Sequence, residues 1–568
     1  MKRFLSVIIS IVMILALSVN VMAADTKVTI TGDDTANREY KAYKLMDASV
    51  SGTNFAYEVN SKYSAILIEE LSLDSTATSK QIVEELNKIT AADNMRHFAD
   101  DVYRKILAAE IEHDATWKGN ETTLPQGYWL ISDVTDLSGQ DKSNSLIMVD
   151  TVGDTEMNIA SKPDSITTEK KVDDENDSLV KPSPTSEDDV TLQDTADYDI
   201  GDEVPYTIDI QMPNNVAAYK YYSFIIQDSV AEGLTYTEDS FELLVNNKEV
   251  ALAKAGTSEA ATADFIYEVD TELGADNKQV SQKLYVYPAK GYTNNADTDV
   301  VASKENGGNY LAYFNSDAPH SEINESTVVF KYTCKLNENA VVGSTGNPNN
   351  YTLKYSNNPF NDGFGKTPED TVIVFTYKVI FNKVDPAGAA LKGADFALYK
   401  FEAEKDQTLS DDQMIANGCI KHDTANAWGK YVLVDRKTTN AEIGEATVFN
   451  FNGLDDGFYI LEETAPPAGY NAIEPLAFQI KADHVTTITS DPALTSVSAT
   501  TKVNGAITLE MDKTEGLGTL TANIENRSGT ELPSTGGMGR TIFYVTGSVV
   551  FIGAVIFLIT KKRMRECK

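Results

Sequence analysis

Cysteine is nearly absent from this chain. Cys334, Cys419 and Cys567 are all that 568 residues contain, too few and too scattered for a disulfide framework to hold it together. Histidine is as scarce: His97, His113, His320, His422 and His484 stand singly, with no HExxH or comparable metal pair and no Ser/His/Asp arrangement. Carboxylates are plentiful, but none form a loop with EF-hand spacing. A turnover enzyme, a resident metal and a cofactor are therefore not expected. Positive charge is in deficit, 48 Lys and Arg against 85 Asp and Glu, for a formal net charge of -37. That balance argues against nucleic acid as a partner and gives a self-repelling, soluble surface. No strict short repeat occurs, which disfavours a solenoid.

Long apolar runs are missing everywhere except at the two ends. At the N-terminus Met1-Lys2-Arg3 precedes an apolar run over 4–21 and the small residues Ala23-Ala24, the layout of a secretory signal peptide over residues 1–23. At the other end Leu532-Pro533-Ser534-Thr535-Gly536 is followed by an apolar stretch over 541–560, long enough for a transmembrane helix, and then by Lys561-Lys562-Arg563. Motif, span and basic tail in that order resemble the LPxTG cell-wall sorting signal of Gram-positive surface proteins. The resemblance implies that a sortase cuts between Thr535 and Gly536 and passes the Thr535 carbonyl to an amine, leaving a secreted product anchored to the wall.

Between these ends the texture is mainly β. Residues 24–165 open with the strand-like Lys27-Val28-Thr29-Ile30-Thr31. Helical spacing follows over 79–111 (Ile82, Val83, Leu86, Ile89, Val102, Ile106, Ile111), and strand candidates return at 127–131 and 145–149. From Thr168 onward short alternating runs, such as 204–210, 241–245, 282–287 and 328–332, are separated by Gly, Asn, Asp and Pro clusters, the signature of a β-sandwich. The expected architecture is tandem immunoglobulin-like β-sandwiches, the first with added helices, over 24–165, 166–375 and 376–530, followed by the sorting signal at 531–568.

The third block carries Phe381-Asn382-Lys383-Val384-Asp385, Gly393-Ala394-Asp395-Phe396, the run Tyr459-Ile460-Leu461-Glu462-Glu463-Thr464-Ala465-Pro466-Pro467-Ala468-Gly469-Tyr470 and, near its end, Ile524-Glu525-Asn526. These resemble the collagen-adhesin B-type domain, with Pro466 where Ala is usual. The resemblance implies an isopeptide bond between Lys383 and Asn526, with Glu463 as the catalytic acid. The residue types suit the chemistry. A lysine attacks a carboxamide only as the neutral amine, which burial favours. Burial equally favours a protonated carboxyl, able to polarise the amide and relay protons as ammonia leaves, while the folded sheet supplies proximity.

The second block resembles the central isopeptide-forming domain of fimbrial backbone proteins, through Thr168-Glu169-Lys170-Lys171-Val172, Gly201-Asp202-Glu203-Val204-Pro205-Tyr206, Phe224-Ile225-Ile226-Gln227-Asp228, Gly233-Leu234-Thr235-Tyr236 and the stretch 346–359. Strand alternation puts Lys170 with Thr168 and Val172 on one face and turns Lys171 to solvent. Asp228 ends the alternation Phe224, Ile226 and is the candidate acid. Asn349 begins the alternation Tyr351, Leu353, Tyr355 and is the preferred acceptor; Asn357, on the same parity, is the alternative. Each bond is expected to join the first and last strands of its sandwich, so that pulling on the ends loads covalent bonds.

Sortase-assembled pilins also use a lysine near the end of the first domain, usually in a YPK-like motif, to accept the next subunit. Here Ala160-Ser161 stands where Tyr-Pro is expected before Lys162; Tyr285-Val286-Tyr287-Pro288-Ala289-Lys290 is closer in letters but lies inside the second block. Lys162 is preferred by position over Lys290. In the first block Gly127-Tyr128-Trp129-Leu130-Ile131-Ser132-Asp133 is reminiscent of the YxLxET strand but has Ser-Asp for Glu-Thr, so no isopeptide bond is expected there. The block order and the sorting motif together resemble the major, shaft-forming pilin. That implies as partners a sortase, identical and ancillary pilins and peptidoglycan, with ligands on host or microbial surfaces left open. The alternative is a monomeric wall-anchored adhesin, or a pilus-tip or base subunit.

Overall fold

The computed structural model describes residues 25–529 apart from 33, 52–53, 161–165, 175–191, 315–318, 405–406, 424, 438–446, 485–491, 502–508 and 513–514. Both apolar runs, the 532–536 motif and Lys162 lie outside the described residues. Among the described residues no helix is long and apolar enough to cross a membrane.

Strands dominate throughout. In the first part, Thr26–Thr31 lies between Glu121–Leu124, antiparallel, and Glu156–Ala160, parallel. A five-stranded sheet built on Glu39–Ser51 and Gly127–Asp133 packs one face on it, around Val28, Ile30, Trp129 and Ile131. The other face, through Tyr43, Leu45 and Leu130, holds the helices Ser64–Glu70, Ser79–Leu86 and Ala92–Ala108. The helical spacing read over 79–111 is thus two helices, the first started by a Thr78/Gln81 capping box. The seven residues of Ser64–Glu70 are too few to show a period.

The second part is a sandwich of larger sheets. One has six strands in the order Leu192–Gln193, Thr167–Asp173, Glu203–Gln211, Thr327–Leu336, Leu234–Val245, Lys248–Glu249. The facing nine-stranded sheet includes, as neighbours in order, Thr195–Asp197, Asp370–Phe375, Asn347–Ser356, Ser223–Ala231, Gln279–Pro288 and Phe265–Leu273. Alternation does the work expected of it: Val204, Tyr206, Ile208 and Ile210 turn inward on one sheet and meet Phe224, Ile226, Leu353 and Tyr355 from the other. In the third part a four-stranded sheet (Val448–Leu454, Tyr377–Val384, Thr519–Glu525, Glu510–Met511) faces six strands centred on Asp395–Ala403 and Gly457–Ala465, around Phe381, Phe396, Phe451 and Tyr459. Thr376 alone separates the strands Asp370–Phe375 and Tyr377–Val384. Cys334 and Cys419 are buried free thiols.

Candidate self-cross-linking sites

Lys170 sits mid-strand on Thr167–Asp173, opposite Ile208 of Glu203–Gln211, and its side chain enters the core with no solvent exposure. Across the sandwich, Ser223–Ala231 and Asn347–Ser356 run antiparallel with Val230 opposite Asn349 and Asp228 opposite Tyr351. Period-two alternation aims Asp228 and Asn349 from adjacent strands into the same spot. Lys170 Nζ donates to Asp228 Oδ2 and, at 2.5 Å, to Asn349 Oδ1. The amide nitrogen of Asn349 donates to the Tyr332 hydroxyl (3.1 Å), and the Tyr236 hydroxyl donates to Asp228 Oδ1 (2.7 Å). The rings of Tyr206 and Tyr332 lie 5.7 and 5.9 Å from the ammonium. Burial pushes the Lys170 amine below the usual lysine range, against the pull of Asp228. Burial likewise holds the Tyr236 and Tyr332 hydroxyls in their protonated form. Amine, carboxyl and carboxamide thus share a dry, aromatic-walled pocket between two sheets. The aromatic wall was not part of the sequence reading, although Tyr206, Tyr236 and Tyr332 fall on core-facing positions of their strands.

Asn357 goes elsewhere. It lies just past the end of Asn347–Ser356, and its amide donates to the carbonyls of Leu137 (3.0 Å) and Lys142 (3.1 Å), tying the second sandwich to the first part. Lys171 does not face solvent as alternation implied. It is 6% exposed, and its Nζ lies 2.5 Å from Asp194 Oδ1 and 3.0 Å from Glu169 Oε1. The cause is Asp194, placed where the chain passes from Leu192–Gln193, paired with Thr167–Asp173 on one sheet, to Thr195–Asp197 on the other, within reach of the Lys171 amine.

In the third sandwich Tyr377–Val384 and Thr519–Glu525 are parallel neighbours, with Lys383 opposite Ile524. Lys383 is 1% exposed, and its Nζ donates to the Ile524 carbonyl at 2.8 Å. Asn526, 1% exposed, donates its amide to both oxygens of Glu463 at 2.8 and 2.9 Å. Glu463 reaches in from Gly457–Ala465 on the facing sheet, and its Oε2 also accepts the Ile473 N–H. The Asn526 Oδ1 is buried without a hydrogen-bond partner, and no hydrogen bond joins Lys383 to Asn526 or Glu463. Burial lowers the Lys383 pKa to about 8, with Glu463 opposing. Acid and acceptor are engaged; the amine lies one carbonyl away on the adjoining strand.

Lys290 is exposed beyond the end of Gln279–Pro288. In the first part Ser132 stands where the YxLxET strand has its acid and Asp133 where it has Thr; Asp133 pairs with Arg38, NH1 to Oδ2 at 2.7 Å, with both side chains buried. An always-charged guanidinium is no nucleophile, so this pair is structural.

Residues 377–492 match the SpaA prealbumin-like fold domain. The chain is 24% identical, over an alignment of 443 residues spanning 68% of each chain, to the trypsin-resistant surface T6 protein of Streptococcus pyogenes serotype M6. Among solved structures it resembles the T6 backbone pilin of serotype M6 Streptococcus pyogenes (16% identity, 91% of this chain and 100% of that one, TM-score 0.48) and the full-length major pilin SpaD of Corynebacterium diphtheriae (16% identity, 89% and 98%, TM-score 0.41).

Proposed function

We propose that this chain, a homologue of the streptococcal T6 surface protein with a SpaA-type prealbumin-like domain at residues 377–492, is the shaft subunit of a covalently polymerised, wall-anchored pilus. The domains are those read at 24–165, 166–375 and 376–530. The observation that carries the reading is the convergence of Lys170, Asp228 and Asn349 in one buried pocket, a costly arrangement unless chemistry follows. The neutral Lys170 amine attacks Cγ of Asn349, and the Asp228 carboxyl beside it takes up the amine proton. The C–N bond to the Asn349 amide nitrogen breaks, a proton relayed through Asp228 leaves with it, and ammonia departs. Lys383, Glu463 and Asn526 repeat this in the third sandwich. Each site reacts once, within its own chain.

Polymerisation follows the sorting motif. A sortase transfers the Thr535 carbonyl of one subunit to the Lys162 amine of the next, and the last subunit to peptidoglycan. The partners are that sortase, identical and ancillary pilins and the wall. Mass spectrometry tests both halves. The recombinant ectodomain should weigh about 34 Da less than its sequence, two ammonia of about 17 Da each; an unshifted mass removes the self-cross-linking. Wall-released material should yield a branched peptide joining Thr535 to Lys162. Thr535 found only on peptidoglycan would leave a monomeric adhesin, and a branch at Lys290 would relocate the junction.

A further inference from the structure

The seam between the second and third sandwiches holds a polar cluster that the cross-linking chemistry does not use. Asp174, Thr195, Asp197 and Asp199 come from the second; Lys400, Asp455, Asp456 and His484 come from the third. His484 Nδ1 lies 2.6 Å from Thr195 Oγ1, and its Nε2 lies 3.8 Å from both Asp174 Oδ2 and Asp197 Oδ1. The ring rests against Phe375, with centroids 6.3 Å apart. Alongside, Lys400 Nζ donates to Asp199 Oδ2 (2.5 Å) and Asp455 Oδ2 (2.9 Å), and the Asp455 N–H donates to Asp199 Oδ1 (2.9 Å). Gln193 donates to Asp174, and Tyr377 stands beside Asp197. Carboxylate oxygens of Asp197, Asp455 and Asp456 lie within 4.8 Å of one another, as do ligand atoms of Asp174, Asp197 and His484.

Lys400 and the conditional cation His484 thus stand among five carboxylates drawn from both sandwiches. A proton on His484 puts a positive charge beside the Asp174 and Asp197 carboxylates across the seam. We propose that His484 and the carboxylates around it form a proton-operated latch, holding the second and third sandwiches together more tightly at mildly acidic than at alkaline pH. The titration directions agree. Burial opposes the charged imidazole, but the hydrogen bond and charge of Asp197, and then the charge of Asp174, outweigh it and raise the His484 pKa. Burial raises the Asp455 pKa well above the carboxylate range, with Lys400 opposing. A group whose pKa rises on docking binds its proton more tightly in the docked state. For His484 the contribution is whole below its undocked pKa of about 6.5 and fades as pH rises through the docked value. Each linked proton changes the docking constant by at most about tenfold per pH unit. The latch acts across a backbone seam in which Ile200 N–H donates to Gly453 O (2.9 Å) and Ser344 N–H to Leu517 O (3.1 Å).

Hydrogen exchange on the full ectodomain between pH 5.5 and 8.5, corrected for intrinsic rates, reads the latch at the amides of residues 198–201 and 453–456. Protection should fall with rising pH in the unaltered protein. The fall should flatten in His484→Gln and shift to lower pH in Asp197→Asn, with circular dichroism confirming that each variant is folded. Constant protection in the unaltered protein, or the same fall in a folded His484→Gln, overturns the latch. If His484→Gln does not fold, the unaltered protein and Asp197→Asn decide. Neither outcome bears on the ammonia losses at Lys170 and Lys383, which mass alone reads.

Discussion

Replacing Asn349 by Ala removes the proposed acceptor while leaving the Lys170–Asp228 pair in place, so the lost stability is mostly that of the covalent bond. Lys170 and Asn349 are 179 residues apart. By the loop-entropy argument, a link closing about 180 residues raises the free energy of the denatured chain by roughly 5 kcal/mol. For a domain of about 200 residues, where 1 kcal/mol shifts the melting temperature by roughly 2–4 °C, the expected fall is about 10–20 °C. Asp228→Asn serves as the chemical test, because it keeps nucleophile and acceptor and removes the acid. Calorimetry of the ectodomain, with intact mass and peptide mapping on the same samples, makes both measurements. Asn349→Ala should lack one ammonia loss and show a separate low-melting transition for the second sandwich. Asp228→Asn should retain separate Lys170 and Asn349 peptides. The reasoning fails if the joined peptide persists in Asp228→Asn, or if Asn349→Ala melts within about 3 °C of the unaltered protein, less than 1–2 kcal/mol on the same scale.

Four further outcomes follow. With the Lys383 amine at a pKa of about 8, formation of the third-sandwich bond after refolding should speed up about tenfold per pH unit below that value and level off above it, as timed mass spectrometry would show; a rate independent of pH between 6 and 8 would contradict the neutral-amine step. In Asn526→Ala the amine survives and keeps its lowered pKa: the unfolded state binds the extra proton, so stability should rise with pH between about 8 and 10.5, a trend absent from the cross-linked protein in denaturant titrations. Arg38→Met should cost about 3–5 kcal/mol, because it strands the buried Asp133 charge; a loss under 1 kcal/mol would mean that water reaches that pair. Gly453 has φ +72°, and a Cβ there would stand 2.4 Å from Ile200 Cδ1. Gly453→Ala should therefore loosen the seam between the second and third sandwiches, seen as faster proteolysis between them, while both ammonia losses remain.

The limits of reading by alternation show at particular residues. Period two placed Lys170 and Asp228 on core faces because each shares its parity with apolar neighbours, Val172 and Phe224 with Ile226, that the core buries. It could not choose between Asn349 and Asn357, eight residues apart and on one parity; only the end of the strand at Ser356 separates them. It turned Lys171 outward because nothing local announces that Asp194 folds over that edge. The expectation that each bond ties first strand to last also needs amending. Asn526 immediately follows the last strand, Thr519–Glu525, but Asn349 lies on Asn347–Ser356, leaving residues 350–375 and the strand Asp370–Phe375 outside the second loop. Under tension that segment would peel away before the proposed bond takes the load.

The sequence by itself determined the local and the categorical: strands by alternation, a helical stretch by its period, the poverty of cysteine and histidine, and, through resemblance to a known family, the boxes that single out Lys383, Glu463 and Asn526. These follow from neighbours along the chain, where backbone geometry sets which side chains share a face. Tertiary structure alone decided which long-range partners meet. Tyr236 and Tyr332 enclose Asp228 and Asn349, Arg38 answers Asp133 from 95 residues away, and His484 finds Asp174 and Asp197 across a domain seam. Such pairs depend on how whole sheets pack and on which polar groups that packing leaves to satisfy one another, and no spacing within a single strand encodes that.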